Sequence, residues 1–483
     1  MTRLVIATLA TLATPATFLG GCGSADAPVP APQAAAPEPP IARPSPGVDL
    51  AGPIAPPDRR ASGRTAGSPH ALVSDLTSDR AVVHVSVPSP PRGGAVAFQF
   101  AEDRPGWVAR IPDAGALPAV AYGGDKIFVS GGFDAVTFYG LDAATGRLDW
   151  ATTNLEDNGP TAPVYDDGRV VFNTESCTVF ALDAATGRRV WLKKLGDPTL
   201  AQTAVADGVV FAAHPGDGGQ ELSAFRVDSG VWLWSRWVGS ELLASPVVAG
   251  DAVYASTTAG WTFAFGKRDG KPLWHKPLRA TTAPWPSGDE LFVTRRTAGK
   301  EQQIVVAAAT GAILREHDAS HGAYARDVPT DGADPRAVWA FEGSRPVVDR
   351  GVRYVAMGGE IRASDAASGE PLWQRRYAKQ PDTRSLGSVA LAGSEVVVST
   401  RDGQLFGLDV DTGYTLWSYD IGHGVHAEPI VAKGWVYAAT DDGYVVALNV
   451  ADPTLDGWHM FGGNASHDGL VHARAPAAQP TSL

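Results

Sequence analysis

Cysteine and charge are both scarce in this sequence. Its 483 residues include 2 cysteines, and 19% of the residues are charged. Two cysteines exclude a scaffold held by several disulfides and a zinc site with four thiolate ligands. The net charge of -12 disfavours nucleic acid or an anionic membrane surface as the main partner. Glycine (54) and proline (37) are abundant instead, as expected of many short strands joined by tight turns.

The N-terminal segment predicts export and lipid attachment. Leu4–Leu19 is apolar apart from threonines, but it is too short and too interrupted by Pro15 for a transmembrane helix. The small residues Gly20 and Gly21 before Cys22 resemble the lipobox of bacterial lipoproteins, in which the cysteine thiol receives a diacylglycerol. We therefore predict lipidation of Cys22 and anchoring in the cell membrane on its extracytoplasmic face. An ordinary secretory signal with a chance cysteine is the alternative.

The composition divides the chain into four predicted segments. These are a lipoprotein signal peptide at 1–21, a disordered Pro/Ala-rich linker at 22–66, a folded domain at 67–471 and a disordered tail at 472–483. The linker cannot bury a core, and it favours extended conformations of about 3.1 Å per residue that would hold the domain away from a membrane. Cys177 lies in a strand-like stretch of the domain, where we expect a buried, inert thiol.

An internal repeat of about 40 residues occupies most of the folded domain. Two clear copies, GLDAATGRLDW and ALDAATGRRVW, end at Trp150 and Trp191. The copy that ends at Arg315 has lost its tryptophan, and an extra stretch around 317–340 follows it. A constant period of this length indicates one supersecondary unit repeated along the chain.

Each repeat predicts four β-strands. In the seventh copy they cover Ser388–Leu391, Glu395–Thr400, Leu405–Asp409 and Thr415–Tyr419, separated by turns that contain glycine. Asp-Gly and Thr-Gly pairs favour hairpins because glycine accepts the positive φ that these turns need. Four antiparallel strands per unit, without helical periodicity, indicate a blade of a β-propeller. The fold is therefore predicted to be all-β, an eight-bladed β-propeller, with seven blades as the alternative.

The ring is expected to close through N-terminal strands. Ala97–Phe100 and Gly106–Arg110 have the pattern of outer blade strands, whereas the outer strand of the eighth copy is interrupted at Asp452-Pro453. Propellers commonly combine N-terminal and C-terminal strands in one blade, which removes exposed sheet edges. We therefore expect the N-terminal strands to lie beside Tyr444–Asn449.

The recurring tryptophan predicts a packing position between blades. Such a ring buries roughly 150–250 Å², which at about 25 cal/mol per Å² stabilises the fold by at most roughly 4–6 kcal/mol. An aromatic shelf for a ligand is the alternative, but recurrence once per blade favours packing. In the drifted eighth copy we expect a partly exposed ring. The tryptophans assigned to blade packing are Trp150, Trp191, Trp234, Trp274, Trp373, Trp417 and, in the eighth copy, Trp458.

The blade signature, A-L-D-A-A-T-G-x-x-x-W, resembles the pyrroloquinoline-quinone-like repeat family. The resemblance covers about Leu117–Trp458 and a tail, Trp458–Gly469, that is similar to the family's W-x-M-F…A-x-H-x-G element. It implies one of two classes of propeller. Quinoprotein dehydrogenases, the first class, stack their quinone on adjacent cysteines, bind calcium and use an aspartate base. This sequence has no adjacent cysteine pair and no Cys-x-x-Cys-His motif for haem attachment.

The second class is non-enzymatic and matches the layout of this chain. It includes the outer-membrane assembly lipoprotein and the extracellular sensor domains of bacterial Ser/Thr kinases, which bind peptides, proteins or cell-wall components. We therefore predict a membrane-anchored binding or scaffold propeller without cofactor or enzymatic activity. It is expected to be monomeric and to contact a protein, peptide or cell-envelope ligand. A quinone-dependent oxidoreductase or a carbohydrate-active enzyme on the same fold is the alternative.

We expect the residues at the start of the innermost strands to line the central channel. Arg345 and Glu428 are the charged members of this ring and the candidates for a ligand contact. The others are small or neutral, which is typical of a water-filled channel rather than of a substrate pocket. His423 and His426 have the spacing of zinc ligands, but no third ligand is near in sequence, so we predict no metal site. The neutral members are Ala162, Gln202, Ser245, Ala283 and Gly387.

Overall fold

The computed structural model describes most of the repeat region and a few residues before it. All described residues belong to one compact unit, Gly47–Leu483. No helix among them is long and apolar enough to cross a membrane. Cys22, Ala97–Phe100 and the predicted segment boundaries lie outside the described residues and stay predictions. The described ranges are 72–73, 83–84, 106–111, 114–115, 118–153, 155–196, 201–297, 300–321, 346–357, 360–376, 386–400, 403–421, 424–425 and 427–469.

The described residues form eight four-stranded antiparallel blades in a ring, which confirms the predicted eight-bladed β-propeller. Within a blade the strands follow one another from the innermost to the outermost. The two middle strands are packed on both faces by neighbouring blades, so their sequences are continuous apolar runs such as Val396–Val398. The outermost strands are more exposed, and in blades 1 to 4 the one buried residue of each is its central tryptophan.

The strands are numbered in chain order, and three of them precede the repeats. These are β1 (Leu72–Val73), β2 (Val83–His84) and β3 (Gly106–Arg110). Blades 1 to 4 contain β4 (Ala119–Gly123), β5 (Lys126–Ser130), β6 (Phe138–Asp142), β7 (Leu148–Thr152); β8 (Val164–Asp166), β9 (Arg169–Asn173), β10 (Thr178–Asp183), β11 (Arg189–Lys194); β12 (Ala204–Ala206), β13 (Val209–Gly216), β14 (Gly219–Arg226), β15 (Trp232–Trp237); and β16 (Val247–Ala249), β17 (Ala252–Ser256), β18 (Thr262–Gly266), β19 (Pro272–Lys276).

Blades 5 to 8 continue the series. They contain β20 (Trp285–Ser287), β21 (Glu290–Thr297), β22 (Lys300–Ala307), β23 (Ile313–His321); β24 (Val347–Asp349), β25 (Val352–Met357), β26 (Glu360–Asp365), β27 (Pro371–Arg376); β28 (Leu386–Ala392), β29 (Glu395–Thr400), β30 (Gln404–Asp409), β31 (Thr415–Asp420); and β32 (Ile430–Ala432), β33 (Trp435–Ala439), β34 (Tyr444–Asn449).

The segment before the repeats pairs with the outer edges of three blades. The outermost strand of blade 8 is β3, which runs antiparallel to β34 with Gly106 opposite Leu448 and Arg110 opposite Tyr444. Blades 6 and 7 each gain a fifth, parallel strand on their outer edge. In blade 6 this strand is β1, and in blade 7 it is β2.

The Asp-x-x-Thr-Gly signature forms the turn between the third and fourth strands of a blade. In blade 2, Asp183 Oδ1 accepts hydrogen bonds from the backbone N (3.0 Å) and Oγ1 (2.7 Å) of Thr186. These bonds hold the pKa of Asp183 below its usual value. Gly187 closes the turn at φ +70°, and a Cβ there would lie 2.4 Å from the ring of Trp150. The aspartate is thus a turn residue, and the glycine makes room for a tryptophan of the preceding blade.

Tryptophans of the outermost strands pack onto these turns across the seam between blades. Trp150 Nε1 donates to the carbonyl of Ala184, 3.1 Å away in the next blade, and Trp191 Nε1 donates to that of Val227 at 2.7 Å. Trp107 in β3 does the same toward Ala143 at 2.9 Å, so blade 8 receives its seam tryptophan from the N-terminal side. The other tryptophans with this arrangement are Trp234, Trp274 and Trp373.

Two tryptophans of the predicted set differ from this arrangement. Trp417 is buried, but its Nε1 donates to Glu395 Oε2 of its own blade at 2.6 Å, because the facing turn of blade 8 has lost the repeat signature. Trp458 lies beyond the last strand, in the C-terminal segment, and its ring is completely buried. The expectation of a partly exposed ring at Trp458 is therefore wrong.

Candidate functional site

The C-terminal segment Trp458–Gly469, called the plug below, lies on the innermost strands and crosses one end of the central channel. The innermost strand of a blade has one edge without a neighbouring strand, so its N–H groups there need other acceptors. The plug supplies carbonyls to four of them at equivalent positions. The bonds run from Val431 N to Trp458 O (2.7 Å), Tyr122 N to His459 O (2.7 Å), Val205 N to Ala465 O (2.7 Å) and Val248 N to Ser466 O (2.8 Å).

Aromatic stacking and a buried carboxylate hold the plug in place. The rings of Trp458 and Trp285 stack with centroids 5.9 Å apart and an angle of 8° between their planes. Trp458 Nε1 donates to Glu428 Oε2 at 3.0 Å, and Gly462 N donates to the same oxygen at 3.3 Å. Gly469 lies so close to Trp285 that a Cβ would overlap the indole ring. The plug is therefore part of the propeller core.

These contacts bear on the residues expected to line the channel. Glu428 is only 6% exposed and binds the plug, so this carboxylate is held in the interior. Ser245 and Gln202 meet across two blades, with 3.2 Å between Ser245 Oγ and Gln202 Oε1. Arg345, His423 and His426 lie outside the described residues. A ligand contact by Arg345 or Glu428 stays a prediction, and sequence reasoning did not anticipate the position of the plug.

A cavity of about 1270 Å³ opens between the turns of blades 4 and 5. Its lining includes Tyr254, Lys267, Arg268 and Asp289. Lys267 Nζ already binds Asp207 Oδ2 at 2.7 Å and the carbonyl of Gly250 at 2.6 Å. The hydrogen bond from Lys267 lowers the pKa of Asp207. The buried ammonium of this cavity is therefore used to join two blades.

The outer edge of blade 3 is the most aromatic part of the described rim. Trp232 and Trp237 of β15 are 46% and 57% exposed, and Leu233 between them is exposed as well. Val231, directly before the strand, is also exposed. Large apolar side chains that share one strand and face solvent are typical of interaction surfaces.

A buried chain of hydrogen bonds fixes this edge from behind. His214 Nδ1 lies 2.8 Å from the carbonyl of Pro215, which accepts only, so in the neutral ring Nε2 is the acceptor. Ser223 Oγ is 2.6 Å from that Nε2 and 2.5 Å from Ser235 Oγ in β15. Ser223 is completely buried and cannot meet a substrate. The histidine and serines therefore have a structural position and do not form a nucleophile with its base.

Two further features concern metal and thiol chemistry. Among the described residues, no group of three or more His, Cys, Asp or Glu side chains is placed to hold a metal ion. Cys177 is buried, and its thiol donates to the carbonyl of Ala213 at 3.6 Å. This burial agrees with the thiol environment expected from the sequence.

Comparison with known proteins identifies relatives of two kinds. The sequence matches the family described as outer membrane protein assembly factor BamB over residues 91–317 and 324–479. BamB of Shewanella oneidensis is 22% identical over 232 residues, which are 46% of this chain and 55% of that protein. The chain thus spans about half the length of that curated relative.

A quinoprotein and a solved structure complete the comparison. The quinoprotein alcohol dehydrogenase PedH of Pseudomonas putida is 30% identical over 119 residues, only 20% of each chain. The crystal structure of BamB from Moraxella catarrhalis superposes with a TM-score of 0.53 at 18% identity, covering 74% of this chain and 98% of that one. At this identity the superposition establishes the propeller fold alone.

Proposed function

Because this chain belongs to the family of the outer membrane protein assembly factor BamB, we propose that it is a non-enzymatic scaffold that binds other proteins at the cell envelope. The family match extends over most of the propeller, whereas the likeness to the quinoprotein dehydrogenase is limited to 119 residues. The sequence also lacks the adjacent cysteine pair on which quinoprotein dehydrogenases stack their cofactor.

The observation that carries the proposal is the occupied end of the central channel. Propellers that hold small molecules need an open site with several convergent polar groups. Here the chain's own plug covers one end of the channel, and Glu428 binds Trp458 and Gly462. The rim, by contrast, exposes large aromatic side chains such as Trp237. Binding at the rim suits a macromolecular partner better than a small substrate.

Cross-linking in the native cells tests the protein-binding function. The full-length protein is cross-linked in place, recovered under denaturing conditions, and its partners are identified by mass spectrometry. We expect the same envelope proteins in repeated captures. The matched control is the same protein recovered without cross-linker. If the cross-linked protein captures no envelope protein beyond those of this control, the scaffold function is wrong.

Membrane attachment is proposed to depend on Cys22, because that thiol stands directly after the two small residues of the lipobox-like sequence. A diacyl anchor places two chains in the bilayer, which is enough for stable attachment. Cys22→Ala should therefore move the protein from the detergent phase to the aqueous phase in a phase-partition experiment. Cys177→Ala is the matched control and should leave the partition unchanged. A Cys22→Ala protein that stays in the detergent phase would exclude lipidation at this position.

The competing function is a quinone-dependent oxidoreductase, favoured by the likeness to PedH. A ligand at a hundredfold excess over its Kd stabilises the folded state by about 2.7 kcal/mol. We expect no rise in melting temperature and no change in the visible spectrum when pyrroloquinoline quinone and calcium are added. A saturable rise in melting temperature with both components, but not with calcium alone, would overturn the non-enzymatic assignment.

A further inference from the structure

The outer strands of blades 2, 3 and 4 are neighbours on the rim of the ring. These strands, β11, β15 and β19, contain five cationic side chains and no aspartate or glutamate. The outer strands of blades 1, 5 and 7 each contain a carboxylate, for example Asp149 in β7 and Asp420 in β31. In a chain with a net charge of -12, the three strands thus form a local patch of opposite sign. The five cations are Arg189, Lys193, Lys194, Arg236 and Lys276.

Most of this positive charge is not compensated by carboxylates. Within the described ranges, Arg189 is the one cation of the five that forms an ion pair, with Glu156 at 2.7 Å. Arg236 donates to two backbone carbonyls of blade 4, which leave its charge in place. The carboxylate of Asp228, in the turn before β15, is already bound by Arg226, with 3.0 Å between Arg226 Nε and Asp228 Oδ1. The patch therefore keeps a net positive charge.

The exposed tryptophans of the described chain lie on the same part of the rim. Trp232 and Trp237 belong to β15, and Trp261, directly before β18 in blade 4, is 38% exposed. Packing contacts hold two of these rings in place. Trp232 meets Phe225 edge-on with centroids 5.1 Å apart, and the centroid of Trp261 is 5.5 Å from that of His275. Little conformational freedom is therefore lost when these rings meet a partner.

Lysine beside exposed tryptophan favours a lipid surface over a protein as the partner of this patch. Protein–protein interfaces are depleted of lysine. At a membrane surface the indole ring lies at the level of the headgroups, where its apolar body meets lipid and its N–H meets water. Lysine extends its apolar stem over the lipid and its ammonium group toward the phosphates. The rim of blades 2 to 4 combines both residue types, and its positive charge complements an anionic lipid.

We propose that this basic rim, formed by β11, β15, β19 and Trp261, lies on an anionic lipid bilayer with Trp232 and Trp237 at the level of the headgroups. The ring then stands edge-on, and both of its faces stay accessible to the protein partners proposed above. The rest of the surface carries the excess negative charge of the chain and is repelled by the same lipid, so the contact is confined to the basic rim. Blades 6, 7 and 8, with the added strands, lie on the other side of the ring.

The predicted attachment at Cys22 is compatible with this orientation. About fifty residues separate Cys22 from β1 on blade 6. In an extended conformation of about 3.1 Å per residue, they reach roughly 150 Å. A linker of this length leaves the orientation of the ring to contacts of its own surface.

Vesicle sedimentation tests the lipid contact separately from the anchor. The protein without residues 1–21 and with Cys22→Ala is mixed with vesicles of phosphatidylglycerol and phosphatidylcholine in equal parts, or of phosphatidylcholine alone. We expect saturable binding to the mixed vesicles, at least about tenfold weaker binding to phosphatidylcholine alone, and release at about 1 M salt, because salt screens the attraction. Equal binding to both kinds of vesicle, or binding to neither, would overturn the proposal.

Charge variants with the same net change locate the contact. Lys193→Gln combined with Lys276→Gln should weaken binding to the mixed vesicles at least about tenfold, because each lysine near an anionic surface contributes to the attraction. Arg110→Gln combined with Arg350→Gln removes two cations from blades 8 and 6 and should leave binding unchanged. An equal effect of the two pairs would mean that net charge alone governs binding, and the basic rim would lose its role.

Lipids with brominated chains test the position of the tryptophans, because bromine quenches indole fluorescence at short range. Trp232→Ser combined with Trp237→Ser should remove most of the quenching and weaken binding to the mixed vesicles at least about tenfold. Leu148→Ser combined with Ile313→Ser removes two comparably exposed residues from blades 1 and 5 and should change neither quantity. Quenching that persists in full in the tryptophan variant would place another surface on the lipid and refute the assignment.

Cross-linking in native cells separates this proposal from the protein-binding function. If the lysine and tryptophan variants lose their captured protein partners, and the original protein does not bind vesicles, the basic rim is a protein site and the lipid assignment is wrong. If vesicles are bound as expected but no envelope protein is captured, the lipid contact stands and the scaffold function falls.

Discussion

Replacing Trp458 by alanine should destabilise the propeller more than the same change at Trp191. Deleting a large, buried aromatic ring costs about 3–5 kcal/mol, and this applies to both residues. Both rings also donate from Nε1, Trp191 to the part-buried carbonyl of Val227 and Trp458 to Glu428, a carboxylate that is almost fully buried. Taking one donor from such a group adds about 1–3 kcal/mol. We therefore expect a loss of about 4–8 kcal/mol for Trp458→Ala, a large part of the roughly 5–15 kcal/mol typical of folded proteins.

Urea denaturation at neutral pH measures both losses, and an unchanged slope against urea concentration validates the comparison. Trp458→Phe is the matched control: it keeps a ring opposite Trp285 but lacks the Nε1 donor. Its expected loss is at least about 1–3 kcal/mol for the hydrogen bond, with a smaller addition because the phenyl ring fills less of the buried site. If Trp191→Ala is the more damaging substitution by more than about 1 kcal/mol, the plug does not contribute to the core as its contacts imply. A Trp458→Phe protein as stable as the original would remove the role assigned to Glu428.

Two further predictions concern ring closure and acid stability. A chain that starts at Ala116 lacks β3 and the seam tryptophan Trp107. It should therefore aggregate or lose hydrogen-exchange protection in β34, because the outer edge of that strand is left unpaired. A chain that starts at Gly67 keeps β3 and should show neither effect. Full protection of β34 without β3 would contradict this closure. Asp157 is partly buried, which raises its pKa, but hydrogen bonds from Ser176, Thr178 and Thr174 outweigh burial, so the pKa lies below its usual value. The stability that the Asp157 carboxylate contributes is complete above the unfolded pKa of about 3.9 and is lost as the pH falls through the lower folded pKa. In Asp157→Asn this contribution is absent, so its melting temperature should decrease less steeply below about pH 4 than that of the original protein. An equally steep fall in that variant would refute the assignment.

The sequence predicted the blades because the interactions that define them are short-range. Asp183 binds Thr186 three residues later, and the glycine that follows accepts the positive φ of the same turn. Because this local geometry recurs in each blade, the same residue types recur at the same spacing, and the repeat can be recognised in the sequence. The seam position of Trp107 could also be inferred from the sequence, because this residue precedes Trp150 by one repeat period. Of the seven tryptophans assigned to blade packing, five donate across the seam, and the two that differ, Trp417 and Trp458, are those next to or within the drifted copy in blade 8.

The plug was not predictable in the same way. Its bonds join backbone carbonyls to N–H groups of Tyr122 and Val205, which lie hundreds of residues earlier in the chain and have no distinctive side chain for the purpose. Backbone hydrogen bonds place almost no constraint on residue type, because almost every residue has the same N–H and C=O groups. The repeat spacing therefore assigns Trp458 to blade packing, whereas its partners in the structure are Trp285 and Glu428. The long-range contacts of the candidate site could therefore be identified only in the three-dimensional structure.

The distribution of paired and unpaired strand edges favours the rim, rather than the central channel, as the surface at which this propeller binds a partner. At the centre, the plug covers inner edges with its own carbonyls, as in the bond from Val248 N to Ser466 O. On the outside, β3 completes blade 8, and β1 and β2 extend blades 6 and 7. The chain therefore uses its own segments to cover edges both at the channel and on one side of the ring. The outer strand of blade 3, β15, has no added strand among the described residues and exposes Trp232 and Trp237 instead.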